Sequence, residues 1–192
     1  MKFISSILLV VVLFLFGCNQ KKKASAFDQG LKDSLSSYFS LANDFDLSPQ
    51  LRERYINKAS KIVAGQENDS LHRANLFKIA NRYYNLDKFE EYKKTVFVVL
   101  KKSEEKQDFF SLAKGFTYLG DYYDSQAVSD SSFLYYDKAE KMFIELEDKT
   151  NQARSILNKA NLQYKESDFL GSEKAVFKVL KIIKNVDDSE LQ

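Results

Sequence analysis

The side chains able to act as nucleophiles or proton carriers are few and widely separated. The 192-residue chain contains one thiol, Cys18, and one imidazole, His72. A thiolate attacks electrophiles and an imidazole exchanges protons near neutral pH, but one of each gives no internal disulfide and too few ligands for a His/Cys metal centre. His72 falls at a helix start and reads as a surface residue. The carboxylate pairs Glu90-Glu91 and Glu104-Glu105 are sequence neighbours. Adjacent residues on a helix face different directions, so they form no acid/base dyad. There is no Gly-rich phosphate loop, HExxH or GxSxG. Lys and Arg total 29 against 27 Asp and Glu, a net charge of +2 that does not point to nucleic acid. The expectation is a non-enzyme that binds, with no cofactor and no metal.

Cys18 has a context of its own. Met1-Lys2 is followed by the apolar run Ile7 to Phe16, in the charge-then-hydrophobe order of a secretory signal. The run is short of the roughly 20 apolar residues that a free-standing transmembrane helix needs. It ends in Leu15-Phe16-Gly17-Cys18, which resembles the bacterial lipobox, although Phe16 stands where smaller residues are commoner. The resemblance implies a signal peptide over 1–17, cleavage after Gly17 and a lipid, palmitate included, on Cys18. The mature chain would then be a lipoprotein of the bacterial cell envelope, anchored to a membrane through that lipid. Residues 18–27, with Lys21-Lys22-Lys23, lack hydrophobic periodicity and read as a lipidated tether whose lysines can meet anionic headgroups. The absence of acidic residues just after Cys18 implies a periplasm-facing protein.

From Asp28 onward apolar residues recur at intervals of three and four, while Gly and Pro are nearly absent, so the whole of 28–192 reads as helical. The chain also repeats itself. Ala80, Gly120 and Ala160 stand at a constant interval of forty, each preceded by four positions by Leu76, Phe116 or Ile156. Sixteen positions after each come Val96, Tyr136 and Val176, and nineteen after come Val99, Ala139 and Val179. Ile56 and Ala59 extend the register upstream. The unit is helix-turn-helix, repeated about four times.

On these residues the chain resembles the tetratricopeptide repeat. Phe116, Leu119, Gly120 and Tyr123, followed by Ser132, Tyr136 and Ala139, are spaced as in the motif W-x2-L-G-x2-Y and A-x3-F-x2-A. The second unit fits as Leu76, Ile79, Ala80, Tyr83, Phe89, Val96 and Val99. Three departures stand out: a period of 40 where 34 is usual, Tyr92 at a small-residue position, and Lys159 at an apolar one. The resemblance implies an all-α, TPR-like right-handed superhelix in which small residues such as Gly120 let paired helices approach closely. The expected pairs are 28–43 with 48–64, 70–85 with 88–106, 108–125 with 129–146, and 149–166 with 168–185. Ser48-Pro49 reads as a capped start and Gly65 as a stop.

The resemblance further implies a groove lined by the first helix of each pair. Its inward-facing positions would be Phe77, Asn81 and Tyr84; Thr117, Asp121 and Asp124; and Leu157, Asn161 and Tyr164. Asn amides suit an extended peptide backbone and Tyr rings add area with a polar tip, so the expected partner is a protein or peptide. A carboxylate clamp would need Lys where Phe77 or Leu157 stands. Two readings follow: an adaptor or scaffold at the envelope, or the sensory segment of a signalling or transcription-regulator system whose output part is separate.

Overall fold

The computed structural model describes residue 30 and residues 34–184, which form helices joined by short turns, with no strand among them. The proposed signal peptide, Cys18 and the tether lie outside the described residues. The chain divides into two compact units, Met1–Ala64 and Gly65–Gln192.

In the first unit, α1 (residues 34–42) ends within a residue of its expected bound, its expected start at 28 lying outside the described residues, and α2 (Pro49–Ala64) follows the expected boundaries. Pro49 occupies the first helical position, and the Leu51 amide donates to the Ser48 hydroxyl at 3.4 Å. Leu35, Phe39 and Ala42 are buried on α1, and Ile56, Ala59 and Val63 on α2. The Arg52 guanidinium ties the two together, donating from Nε to the Ala42 carbonyl at 3.2 Å and lying 4.3 Å from the centroid of the Phe45 ring.

The second unit holds three helix pairs: α3 (Ser70–Tyr84) with α4 (Phe89–Lys106), α5 (Phe109–Ser125) with α6 (Ser129–Glu145), and α7 (Lys149–Lys165) with α8 (Phe169–Ile183). Each helix packs on the next in sequence. Helices of about four to five turns, joined by connections of two to four positions, account for the long period. The buried positions keep the register: Ala80, Leu119, Val96, Ala139 and Val179 all lie inside. Burying such Val and Leu side chains stabilises by about 1.5–3 kcal/mol each.

Gly120 does what its position implies. It is buried where α5 meets α6, a Cβ there would collide with the Tyr136 ring, and its carbonyl accepts from the Ser132 hydroxyl at 2.8 Å. A second close approach was not signalled by the motif. At Gly115 an added Cβ would lie 3.1 Å from Leu100 Cγ, so this glycine lets α5 settle on α4 of the preceding pair.

The turns differ from expectation. α2 does stop at Ala64, directly before Gly65, but without a left-handed glycine; among the described residues positive φ falls at Asp87, Gln107, Ala127, Glu147 and Ser167, at 53° to 65° and at every twentieth position. Each of the five sits in the same hydrogen-bond pattern. Its own amide donates three residues back and the following amide five back, as in Ala127 to Asp124 at 3.0 Å and Val128 to Tyr123 at 2.9 Å. That is the Schellman ending, here built without glycine. Aspartates then start several of the helices: Asp69, Asp108, Asp148 and Asp168 accept from amides of the first turn.

His72 departs from its surface reading. It lies in the first turn of α3 but is only 2% exposed, and burial, followed by nearby Lys102, holds its imidazole below the usual pKa.

Candidate functional site on the first helices

The first helices of successive pairs lie side by side in the second unit. Phe77 on α3 and Tyr118 on α5 have ring centroids 4.8 Å apart, and Lys165 on α7 reaches Asp124 on α5 with its ammonium 2.8 Å from both carboxylate oxygens. The nine positions expected to line a groove therefore share one stretch of structure, but they are not equivalent.

Phe77 is corrected from a ligand-facing position to a packing one. It is 3% exposed, held between Tyr118 and the Lys114 ammonium, which lies 5.0 Å from its ring. Thr117 is half-buried and its hydroxyl turns back to the Ala113 carbonyl at 3.4 Å. Leu157 packs on the Ala153, Ile156, Val179 and Ile183 cluster. Asn81 is half-buried, with its side-chain oxygen 3.5 Å from Arg82 Nη1. Asn161 is exposed, and Tyr164 is 62% exposed, with Phe169 against its ring edge at 5.3 Å.

The chemistry concentrates around Asp121. Tyr136 donates its hydroxyl to the Asp121 carboxylate at 2.7 Å, linking the first and second helices of one pair. Burial drives the carboxyl pKa up to about 6; the Tyr136 bond works against that rise and the neighbouring Asp124 charge adds to it. Around it stand Tyr84, Tyr92 and Tyr118. Tyr84 meets Phe89 and Tyr92 edge-on at 5.5 and 5.2 Å, while Tyr92 stacks on Tyr118 at 5.8 Å and donates to the Tyr118 carbonyl at 2.8 Å. Burial and the Asp121 charge push the Tyr118 phenol up to about 12. Tyr84 is also raised, by burial first and then by Asp121, Asp124 and Asp87.

Motif positions alone did not pick out Tyr118 and Lys114. Lys114 had a signal: Arg154 stands one full period later, so a base recurs six positions before the small packing residue. Its ammonium is drawn below the usual value by burial, then by Arg154 and Lys78. Tyr92 did announce itself, as a large residue at a small-residue position, and the structure gives the reason: its ring fills the seam between α4 and α5.

Stacking surfaces, a protonatable carboxyl and a basic cluster can recognise a ligand, and nothing among them forms a nucleophile-base pair. Among the described residues no group of three or more His, Cys, Asp or Glu is placed to hold a metal ion, and no helix is long and apolar enough to cross a membrane.

The fold is that of TPR-like helical repeats, in an all-helical chain. Solved structures resemble it, three of which serve to show the likeness. BtubC (BKLC) from P. vanneervenii is 15% identical, with 88% of this chain and 75% of that one covered at a TM-score of 0.62. The apo form of RapI is 16% identical, with 82% and 58% covered at 0.65, so this chain spans little more than half of it. The nearly identical TPR-like repeats of a Podosopora anserina chain named for kinesin light chain are 13% identical, with 81% and 78% covered at 0.62. No protein-family model and no curated protein sequence matches the chain.

Proposed function

We propose that this protein is a non-catalytic binding module that holds a protein or peptide partner on the face of its first helices, and that a lipid on Cys18 keeps it at a membrane of the bacterial envelope, facing the periplasm. The likeness to TPR-like repeat structures supports interaction with other proteins as the general role. The observation that carries the reading is Asp121. A carboxyl held at about 6 among Tyr84, Tyr92, Tyr118 and Tyr136 costs folding stability at neutral pH. Such groups collect where a surface has work other than stability. Asn81, Tyr84, Asn161 and Tyr164 supply amide and phenol groups on the same helices.

The anchoring part draws on Leu15-Phe16-Gly17-Cys18 and the apolar run before it. Wild-type protein should label with a palmitate analogue in cells, and Cys18→Ala should give an uncut, unlabelled precursor; an unlabelled wild type ends the lipid reading. The binding part is tested by crosslinking and pull-down from intact cells. Asn81→Ala and Asn161→Ala should each weaken capture by about 1 kcal/mol, and Tyr164→Ala by more, since aromatic anchors dominate interfaces. Tyr84→Phe removes only a hydroxyl and keeps the ring. Lys141→Ala, on the exposed side of α6, should change nothing. Equal capture by all these variants would move the working surface elsewhere.

A further inference from the structure

The last helix pair ends in an open cleft of about 540 Å³, lined by Tyr164, Phe169, Leu170, Ser172 and Glu173. Subtracting 80 from each number gives Tyr84, Phe89, Glu90, Tyr92 and Lys93. In the first pair of this unit those five residues hold the next helix. Tyr92 stacks on Tyr118 at 5.8 Å, Glu90 accepts from the Tyr122 hydroxyl at 2.8 Å, and Lys93 donates to that hydroxyl at 3.3 Å with its ammonium 4.7 Å from the ring. Tyr84 and Phe89 pack against the same cluster. Further along α4, Leu100 lies against Gly115.

The cleft is thus the counterpart of a seat that α5 fills on α4. Its surroundings agree. Phe169, Leu170 and Leu180 are 59%, 61% and 52% exposed, whereas Leu100, the counterpart of Leu180, is 7% exposed. The pair aligning Tyr164 with Phe169 keeps the edge-on geometry of Tyr84 with Phe89, at 5.3 against 5.5 Å, so the seat is already shaped. Ser172 in place of Tyr92 widens it for a large ring.

We propose that α8 is a docking face for an amphipathic helix of a partner protein, seated as α5 sits on α4 and carrying a small residue followed by aromatic residues three and seven positions later. That is the spacing of Gly115, Tyr118 and Tyr122. The small residue sits over Leu180 and the rings enter the cleft. Glu173, replacing Lys93, offers a carboxylate to a phenol hydroxyl, so tyrosine is preferred to phenylalanine at the last position. The partner helix continues the repeat stack in trans, on a surface separate from the first-helix face.

The test uses the full-length protein and, as probe, a fluorescent synthetic peptide with the sequence of residues 109–125, read by anisotropy. The peptide should bind, and Leu180→Lys in the protein or alanine in place of Tyr118 and Tyr122 in the peptide should weaken binding by about tenfold or more. Leu180 is half exposed, so its substitution leaves the fold intact, which circular dichroism checks. Phe169→Ala should weaken binding by removing one wall of the cleft. Phe97→Lys, an equally exposed apolar site on α4, and Asn81→Ala on the first-helix face should not. Absence of binding, or binding that ignores Leu180→Lys, overturns the proposal. So does a concentration-dependent self-association abolished by Leu180→Lys, which would give the face to a second copy of this chain.

Discussion

Lys159 on α7 and Glu140 on α6 form an ion pair of 2.5 Å at the two positions that lie one full repeat after Leu119 and Leu100. In the preceding seam those leucines belong to one apolar cluster. Both partners differ together, a charged contact standing where the earlier seam has an apolar one. Glu140 also receives Lys178 from α8 at 2.7 Å, and Lys159 reaches Asp137 at 2.9 Å, so the knot joins three helices. A charge at an apolar repeat position is tolerated because its counter-charge occupies the matching position across the seam.

Breaking the knot from one side strips a buried charge of its closest partner, leaving Lys159 with Asp137 only and Glu140 with Lys178 only. Glu140→Leu and Lys159→Leu should each destabilise by about 3 kcal/mol, while the double variant should return to within about 1 kcal/mol of wild type, as Leu100 and Leu119 already manage. Urea unfolding of the three variants measures it. Additive losses would mean that the two residues are not coupled.

The same knot and Asp121 respond to acid in opposite senses. Burial alone would raise the Glu140 carboxyl, but hydrogen bonds from Lys159 and Lys178 outweigh it and hold the pKa below its usual 4.5. Its stabilisation is present above 4.5 and is lost as pH falls through the lower folded value. Asp121 is raised from 3.8 to about 6, so its contribution is complete below 3.8 and is lost as pH rises toward 6. That rise corresponds to about 3 kcal/mol. Asp121→Asn should therefore flatten the stability profile between pH 4 and 6 and gain up to that amount at pH 7, read from urea midpoints across pH. An unchanged profile would place the carboxyl in solvent.

Gly120→Leu should overpack the contact with Tyr136 and cost about 1–3 kcal/mol, seen as a lower Tm. Lys149→Ala, at an exposed position on α7, should leave Tm nearly unchanged. Equal melting of both would show that the α5–α6 seam yields to a side chain at Gly120.

A gain is expected in the turn between α5 and α6. Ala127 holds φ at 55°, a region that costs an L-residue about 1 kcal/mol and glycine almost nothing. Ala127→Gly should raise stability by close to that amount, less the extra freedom glycine has when unfolded. Thermal melts of the variant beside wild type decide it, and a lower Tm would mean the turn depends on the methyl group.

The repeat itself was legible because packing demands periodicity. Ala80, Gly120 and Ala160 sit where helices touch, and a small residue at a fixed interval is visible in one sequence. The paired helices fall within a residue or two of their expected bounds from Pro49 onward for the same reason. The turns were illegible because the sequence signal for a left-handed residue is glycine, and Asp87, Gln107, Ala127, Glu147 and Ser167 carry none. Phe77 was misplaced because the inward-facing rule counts positions along one helix, whereas its burial comes from Tyr118 and Lys114 on another. Lys159 looked like a defect until Glu140 was found opposite, since a compensating pair separated along the chain has no local signature.

The left-handed residues recur at every twentieth position, each followed within a residue or two by the start of a helix, so the length of this chain is quantised. Excising residues 108–147 would join Gln107 to Asp148, a left-handed residue to a capping aspartate, the same junction that exists at both parent turns. A deletion of any other size would rotate every following helix about its axis by about 100° per residue and turn its buried stripe toward solvent. Growth and shortening of such an array are thereby confined to whole steps, and a gene encoding it can gain or lose a complete pair without any loop having to be redesigned.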